Sequence, residues 1–237
     1  DRSTLLTPMP VHGPMGRTME DAHLLLRAQL DVDKRDPFSS DDVLRIPDYL
    51  HAIDLGGVRV AISTDLGCSP IDERIRQVCL DRVKAFRHVF NDVQYRDPDL
   101  GNVHDVFEIL RGLYFVGAHR ERLEKHRDLL GPNVIDNTER GMKMTANEIA
   151  WAFTEQSKIA KSFLSFFDDC DVLICPAASV SPFPHSQLYV DEINGEKMPT
   201  YMRWLSITYA LTTAIPCAAT IPCGVDHKGL PFGIQVM

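Results

Sequence analysis

The chain lacks any apolar run long enough to cross a bilayer. Its longest candidate, residues 205–216, is interrupted by Ser, Thr and Tyr and falls well short of the roughly 18–20 residues that a spanning helix needs. Basic charge is also scarce: 25 Lys and Arg face 33 Asp and Glu, for a net charge of -8. No Lys/Arg cluster alternates with aromatics, so the chain has no field with which to attract phosphate backbones, and neither nucleic acid nor membrane is an expected partner. The six cysteines form no CxxC pair and no CxxC with HxxxH spacing, and the nine histidines include no HExxH. A structural or catalytic metal is therefore not expected, and cysteines scattered among apolar neighbours fit a reducing, cytoplasmic setting. The opening Asp1-Arg2-Ser3-Thr4 shows no charged segment followed by an apolar one, so nothing there reads as a signal peptide.

What is present is a hydrophobic content of 44% over 237 residues, enough for one large core or a core with an accessory lobe. Thr18 with Asp21 resembles a capping box, and Ala22, Leu25 and Leu26 follow at helical spacing, which predicts a helix from Thr18 to Leu30. Residues 31–54, rich in Asp with Pro37 and Pro47, read as a surface excursion. Residues 58–63 alternate as a strand. Asp72 then caps a helix in which Ile75, Val78, Cys79, Val83, Phe86 and Phe90 line one face, and residues 93–95 form the next strand. Strand, helix and strand in that order favour an α/β fold, a sheet with helices covering it.

A third helix covers residues 103–119, with the charged run 120–127 as its solvated continuation, and Gly131-Pro132 ends that pattern. Thr145-Ala146-Asn147-Glu148 is a capping box opening a long helix through Phe167. Residues 171–175, short and apolar before Pro176, read as a buried strand. Residues 177–194 are a loop ending in an Asn194-Gly195 turn. A helix over residues 201–213 precedes two strands, 218–221 and 232–236, joined through Asp226-His227-Lys228-Gly229.

Five segments, in order, resemble the amidase-signature family. They are Gly13-Pro14-Met15-Gly16-Arg17-Thr18-Met19-Glu20-Asp21; Val58-Arg59-Val60-Ala61 with Asp65-Leu66-Gly67 and Pro70-Ile71-Asp72; Gly141 with Thr145-Ala146; the run from Phe167 through Asp171-Val172-Leu173-Ile174-Cys175-Pro176-Ala177; and Ile215-Pro216-Cys217 through Gly224, followed by Gly229-Leu230-Pro231-Phe232-Gly233-Ile234-Gln235-Val236. The chain departs from that family at Gly16, usually Ala, at Leu211-Thr212-Thr213-Ala214, usually an Asn-Leu-x-Gly run, and at Gln156, where an Arg is frequent.

The resemblance implies an α/β fold with a mixed β-sheet covered by helices on both faces, and hydrolysis of a carbon–nitrogen amide bond through an acyl-serine intermediate, without metal or organic cofactor. In that family a Ser nucleophile is activated through a second Ser by an uncharged Lys, and backbone N–H groups of a Gly-rich loop stabilise the oxyanion. No Lys here leads into a Ser/Gly-rich segment, and Gly56-Gly57 has no Ser beside it, so no position can be given to the triad. The expectation is a partial amidase-signature domain over residues 1–237, incomplete at both ends, inactive by itself, and partnered by the remainder of the domain on the same or a second chain. Homodimerisation stays open. The substrate would be a small-molecule amide, and Tyr201, Arg203, Trp204 and Thr208, with Ser179 in the loop 179–185, are the candidate pocket residues. For Trp204 and Tyr201, packing is an equal reading, since aromatics bury large areas anyway. Two alternatives remain: a non-catalytic binding lobe or subunit, and a self-sufficient hydrolase using Cys175 or Ser179 with His185 as base.

Overall fold

The structure, a computed structural model, describes residues 9, 13–41, 45–214 and 217–237. Residues 1–4, residues 42–44 of the excursion and Ile215-Pro216 of the last motif lie outside the described residues. The chain forms two compact units, Asp1–Asp54 and Leu55–Met237.

In the first unit, α1 (Met19–Gln29) begins where Thr18 Oγ1 accepts the Asp21 N–H at 3.1 Å. That bond satisfies one of the backbone donors every helix start leaves orphaned. None of its residues is buried. Arg27 ties the helix to residue 48, donating to the Asp48 carbonyl at 2.9 Å and pairing with its carboxylate.

The second unit holds a five-stranded mixed sheet in the order β2-β1-β3-β7-β6. Here β1 is Arg59–Ile62, β2 Asp92–Tyr95, β3 Val172–Pro176, β6 Ala219–Val225 and β7 Pro231–Val236. β1 runs parallel to both β2 and β3, while β7 is antiparallel to β3 and β6 to β7. The central strands carry the core, with Val60, Ala61, Ile62, Leu173, Ile174 and Cys175 all buried. Each large aliphatic among them contributes about 1.5–3 kcal/mol from burial. The register of β1 on β3 is pinned at the strand starts by Arg59 and Asp171. The Asp171 carboxylate accepts the Arg59 backbone N–H at 2.9 Å and its guanidinium at 2.7 Å.

Between β1 and β2 lies α2 (Glu73–Phe86), capped by Asp72, whose carboxylate accepts the Arg74 N–H at 2.8 Å; Ile75, Cys79 and Val83 form its buried stripe. From β2 the chain passes through α3 (Val103–His126), α4 (Pro132–Met142) and α5 (Ala146–Phe166) before returning as β3. The charged run 120–127 does continue α3, almost to its end. Gly131-Pro132, expected only to break the pattern, also opens α4, because a proline at the first helical position gives up an N–H that would have no partner there. α3 and α4 cross closely at Gly112 and Gly141. The α5 capping box is complete, with Thr145 and Glu148 each bonding the other's backbone N–H.

β4 (Glu192–Ile193) and β5 (Glu196–Lys197) form a small hairpin headed by Asn194 and Gly195, both at positive φ. The Asn194 side chain accepts the Glu73 N–H at 3.1 Å and donates to the Ile71 carbonyl at 2.8 Å, clasping the start of α2. The last helix, α6 (Ser206–Ala214), starts later than residue 201. Residues 203–205 instead form a tight 3₁₀ turn, and Tyr201 is held back by bonds from Asn137 and Arg111. Gln156, where the family often has Arg, is buried and donates to the Thr213 carbonyl at 3.4 Å, joining α5 to α6.

Candidate functional site

Beyond the C-terminal end of β3 the chain runs as a strap, residues 177–183, held to α2 by the Asp72 N–H donating to the Ser179 carbonyl at 2.9 Å. Between this strap, the 203–205 turn and the β6–β7 hairpin lies a cavity of about 260 Å³. Crevices outside the carboxyl ends of strands are where open α/β sheets place ligands. Its walls are Val180, Pro182 and Phe183 from the strap, Ile75 from α2, Trp204, and Pro231 and Phe232 from the hairpin. Phe183 and Trp204 meet edge to face, centroids 5.3 Å apart.

Two polar side chains enter this apolar shell, Ser181 and Asp226. Asp226 is 7% exposed. Its Oδ1 accepts the backbone N–H groups of Lys228 at 2.8 Å and Leu230 at 3.0 Å, which shapes the hairpin turn. Its Oδ2, the Ser181 hydroxyl and the Trp204 indole N–H are buried without a hydrogen-bond partner among the described residues. Burial alone would push the Asp226 carboxyl up, but the neighbouring Ser181 hydroxyl and the two backbone N–H groups outweigh it and hold the group below the ordinary carboxylate range. Ser181 is close enough to act on the carboxylate, though the pair falls short of hydrogen-bond geometry.

The pocket residues expected from sequence separate into two places. Trp204 lines the cavity, and Ser179, 1% exposed, sits in the strap between two lining residues with its hydroxyl unpartnered. Tyr201 lies behind, its hydroxyl accepting from Asn137 at 2.6 Å and Arg111 at 3.1 Å. Arg203 reaches Glu108 at 3.8 Å, a carboxylate that also takes Arg140 at 2.7 Å and the Thr200 hydroxyl at 3.2 Å. The Thr208 hydroxyl donates to the Leu205 carbonyl at 2.8 Å, closing the turn that carries Trp204.

His185 is exposed, and among the described residues it makes no hydrogen bond to Cys175 or Ser179. Cys175 is fully buried, and burial pushes its thiol up and keeps it protonated despite the Gln235 amide at 3.5 Å. A buried thiol without a base is inert as a nucleophile.

Sequence reasoning passed over His104, a lone histidine on α3. Its Nε2 lies 3.0 Å from the Cys68 carbonyl, which can only accept, so Nε2 carries the proton and Nδ1 accepts from the Tyr209 hydroxyl at 2.6 Å. Burial, and then the nearby Arg203 guanidinium, push the imidazole pKa down and keep the ring neutral. Tyr209 in turn stacks flat on Phe107 at 3.9 Å. Among the described residues no group of three or more His, Cys, Asp or Glu side chains is placed to hold a metal ion, and no helix is long and apolar enough to cross a membrane.

This mixed sheet, with its last hairpin returning antiparallel beside β3, is that of the amidase-signature enzymes. A bacterial aryl acylamidase of that family superposes with a TM-score of 0.81 at 19% identity, covering 100% of this chain and 51% of the other. The 6-aminohexanoate cyclic dimer hydrolase superposes with a TM-score of 0.73 at 17% identity, covering 93% and 49%. The Amidase family model matches residues 6–237, and the chain belongs to that family. Among characterised relatives, an acylamidase from Rhodococcus erythropolis is 27% identical over 95% of this chain and 48% of its own length. A glutamyl-tRNA(Gln) amidotransferase polypeptide from Gloeobacter violaceus is 24% identical over 95% and 50%. The chain thus spans about half the length of the curated relatives it matches.

Proposed function

We propose that this segment, together with the remainder of its domain, hydrolyses the carbon–nitrogen bond of a small-molecule amide through an acyl-serine intermediate. The observation that carries the reading is the aromatic-walled cavity at the end of β3, in a chain of the Amidase family. A largely apolar pocket with a few convergent polar groups is the usual form of a small-molecule site. The segment's part is scaffold and pocket wall. Trp204 faces the substrate directly, while Tyr201, Arg203 and Thr208 fix the turn that presents it and Ser179 supports the strap.

The nucleophile, its relay Ser and the Lys base are assigned to the remainder of the domain, on the same or a second chain. A self-sufficient hydrolase would need a nucleophile hydrogen-bonded to a base, and neither Cys175 nor Ser179 has one among the described residues. The exposed outer strand β6 offers an edge for that remainder, since an uncovered apolar strand edge is a liability that proteins normally bury. Six free cysteines support a reducing, cytoplasmic setting for the complete enzyme.

The test is amine or ammonia release from a panel of simple amides, by the 237-residue chain alone and by the enzyme completed with the rest of its domain. Turnover is expected only in the completed enzyme. Turnover by the chain alone at the same rate overturns the assignment of the nucleophile elsewhere, and a completed enzyme that cleaves no amide overturns the reaction.

A further inference from the structure

A carboxylate whose one oxygen is satisfied by backbone N–H groups, and whose other is buried without a partner, keeps acceptor capacity that a ligand can use. Asp226 is 7% exposed and makes no ion pair among the described residues, and its Oδ2 has no hydrogen-bond partner there. Arg82 and Arg74, which border the hairpin from α2, have acceptors other than Asp226. Arg82 packs its guanidinium against Gly224, where an added Cβ would stand 3.2 Å from Cζ, and donates to the Val225 carbonyl at 2.7 Å. Arg74 pairs with Asp72 at 3.0 Å. Both, with His227, line a separate outer groove that Asp226 also borders. His227 acts on Asp226 only as a weak neighbouring charge. Asp226 shares the lining of the cavity with Ser181, Phe183, Trp204 and Phe232.

An anionic oxygen next to aromatic rings is the arrangement that recognises an organic cation, the carboxylate neutralising the charge and the ring faces or edges accepting its apolar body. We propose that the cavity takes a ligand bearing a protonated amine, with Asp226 as its counter-ion and Trp204 and Phe183 as the walls that hold its hydrocarbon part. The volume of about 260 Å³ suits a single ring with a short ammonium arm rather than a long chain. This rests on the amide-hydrolase reading and narrows its substrate to amides carrying an ammonium group on the part that enters this cavity. Asp226 is then a specificity-determining residue, and it takes no part in bond cleavage.

The chain has two tryptophans, and Trp151 is on the surface of α5. In a Trp151→Phe background, Trp204 alone reports on the cavity. Titration at pH 7 compares benzylammonium, benzyl alcohol and benzoate, which share a ring and differ in charge. The expected order is cation over neutral over anion, with at least a tenfold preference for benzylammonium over benzyl alcohol. Asp226→Asn keeps an oxygen for the Lys228 and Leu230 N–H groups and removes the charge, so it should bring the two within about twofold of each other.

Equal affinities in the Trp151→Phe protein with Asp226 intact, or a preference that survives Asp226→Asn, overturn the proposal. The charge order among the three ligands needs no substitution at 226, so it decides the matter even if that variant fails to fold. In the completed enzyme, amide turnover with no preference for ammonium-bearing substrates defeats the cavity assignment and leaves amide hydrolysis standing. Ammonium binding with no amide turnover does the reverse.

Discussion

Substituting Gly141 by Ala tests how tightly the helical layer behind the cavity is built. A Cβ at this position would lie 2.4 Å from the Gly112 carbonyl oxygen, 2.8 Å from its carbonyl carbon and 2.7 Å from Val116 Cγ2, where ordinary contacts are 3.4–4 Å. Two of these three neighbours are α3 backbone, which cannot rotate away, so α4 must move off α3 by on the order of 1 Å. Overpacking of this kind costs about 1–3 kcal/mol, while replacing Gly by Ala inside a helix returns about 1 kcal/mol. With all three contacts under 3.0 Å and two of them backbone, the cost belongs at the upper end, about 2–3 kcal/mol, so the net expectation is a loss of about 1–2 kcal/mol, or a fall in Tm of about 2–8 °C for a chain of this size. Gly112→Ala is the internal control. Its new Cβ would first meet Met144 Cε at 2.6 Å, the end of a flexible side chain, and next the Gly141 Cα at 3.3 Å. It should therefore cost less than Gly141→Ala. Thermal and urea denaturation of both variants measure the difference, and a Gly141→Ala protein as stable as the parent would refute the close crossing.

Three further outcomes are expected. Trp204→Ala in the completed enzyme should shift relative kcat/KM among amides while leaving most of the stability; an across-the-board loss of folded protein of about 3–5 kcal/mol with unchanged relative specificity would mark Trp204 as packing only. Asp171 is held at a pKa of about 2, first by its hydrogen bonds to the Arg59 guanidinium and then by the Arg59 backbone N–H. A depressed carboxylate stabilises the fold above its unfolded pKa near 3.9 and loses that contribution as pH falls toward 2. The gap in urea midpoint between parent and Asp171→Asn should therefore be constant at neutral pH and close in acid; a gap independent of pH contradicts the pairing. In native-state thiol labelling, exposed Cys217 should react first. Cys175 and Cys79, the latter pushed up to about 12 chiefly by burial, should resist until unfolding, and early labelling of Cys175 would contradict its burial.

Much of the fold was legible because its signals are local. Thr18, Asp72 and the Thr145–Glu148 pair mark helix starts through bonds within three residues, and the apolar run before Pro176 marks a buried strand without reference to anything distant. Pro132 was legible only as an interruption, since the same residue that ends one helix can open the next. The late start of α6 was not legible, because the bonds that hold Tyr201 out of the helix come from α3 and α4. The cavity shows the same division. Trp204 stood out as a large aromatic in a polar setting, and the loop 179–185 was noticed as a second lining. Asp226 read as a turn residue, a role its Oδ1 does play, and only the folded sheet brings the residue to a wall shared with Ile75 and Phe183. His104 carried no signal at all, since its partners, Cys68 and Tyr209, are 36 and 105 residues away.

The clasp of Asn194 on α2 makes one helix depend on a distant part of the chain. The Glu73 amide at the helix start is satisfied by a side chain 121 residues downstream, and the Asp72 amide beside it by the Ser179 carbonyl of the strap. The stripe of Ile75, Cys79 and Val83 and the Asp72 cap are set by neighbouring sequence, but these two amides find their acceptors only in the long segment after β3. The dependence also runs the other way. Lifting the strap far enough to widen the cavity on this side strips the Asp72 amide at the start of α2 of its partner, so a ligand that enters by that route must work against the end of the helix whose Ile75 lines its pocket.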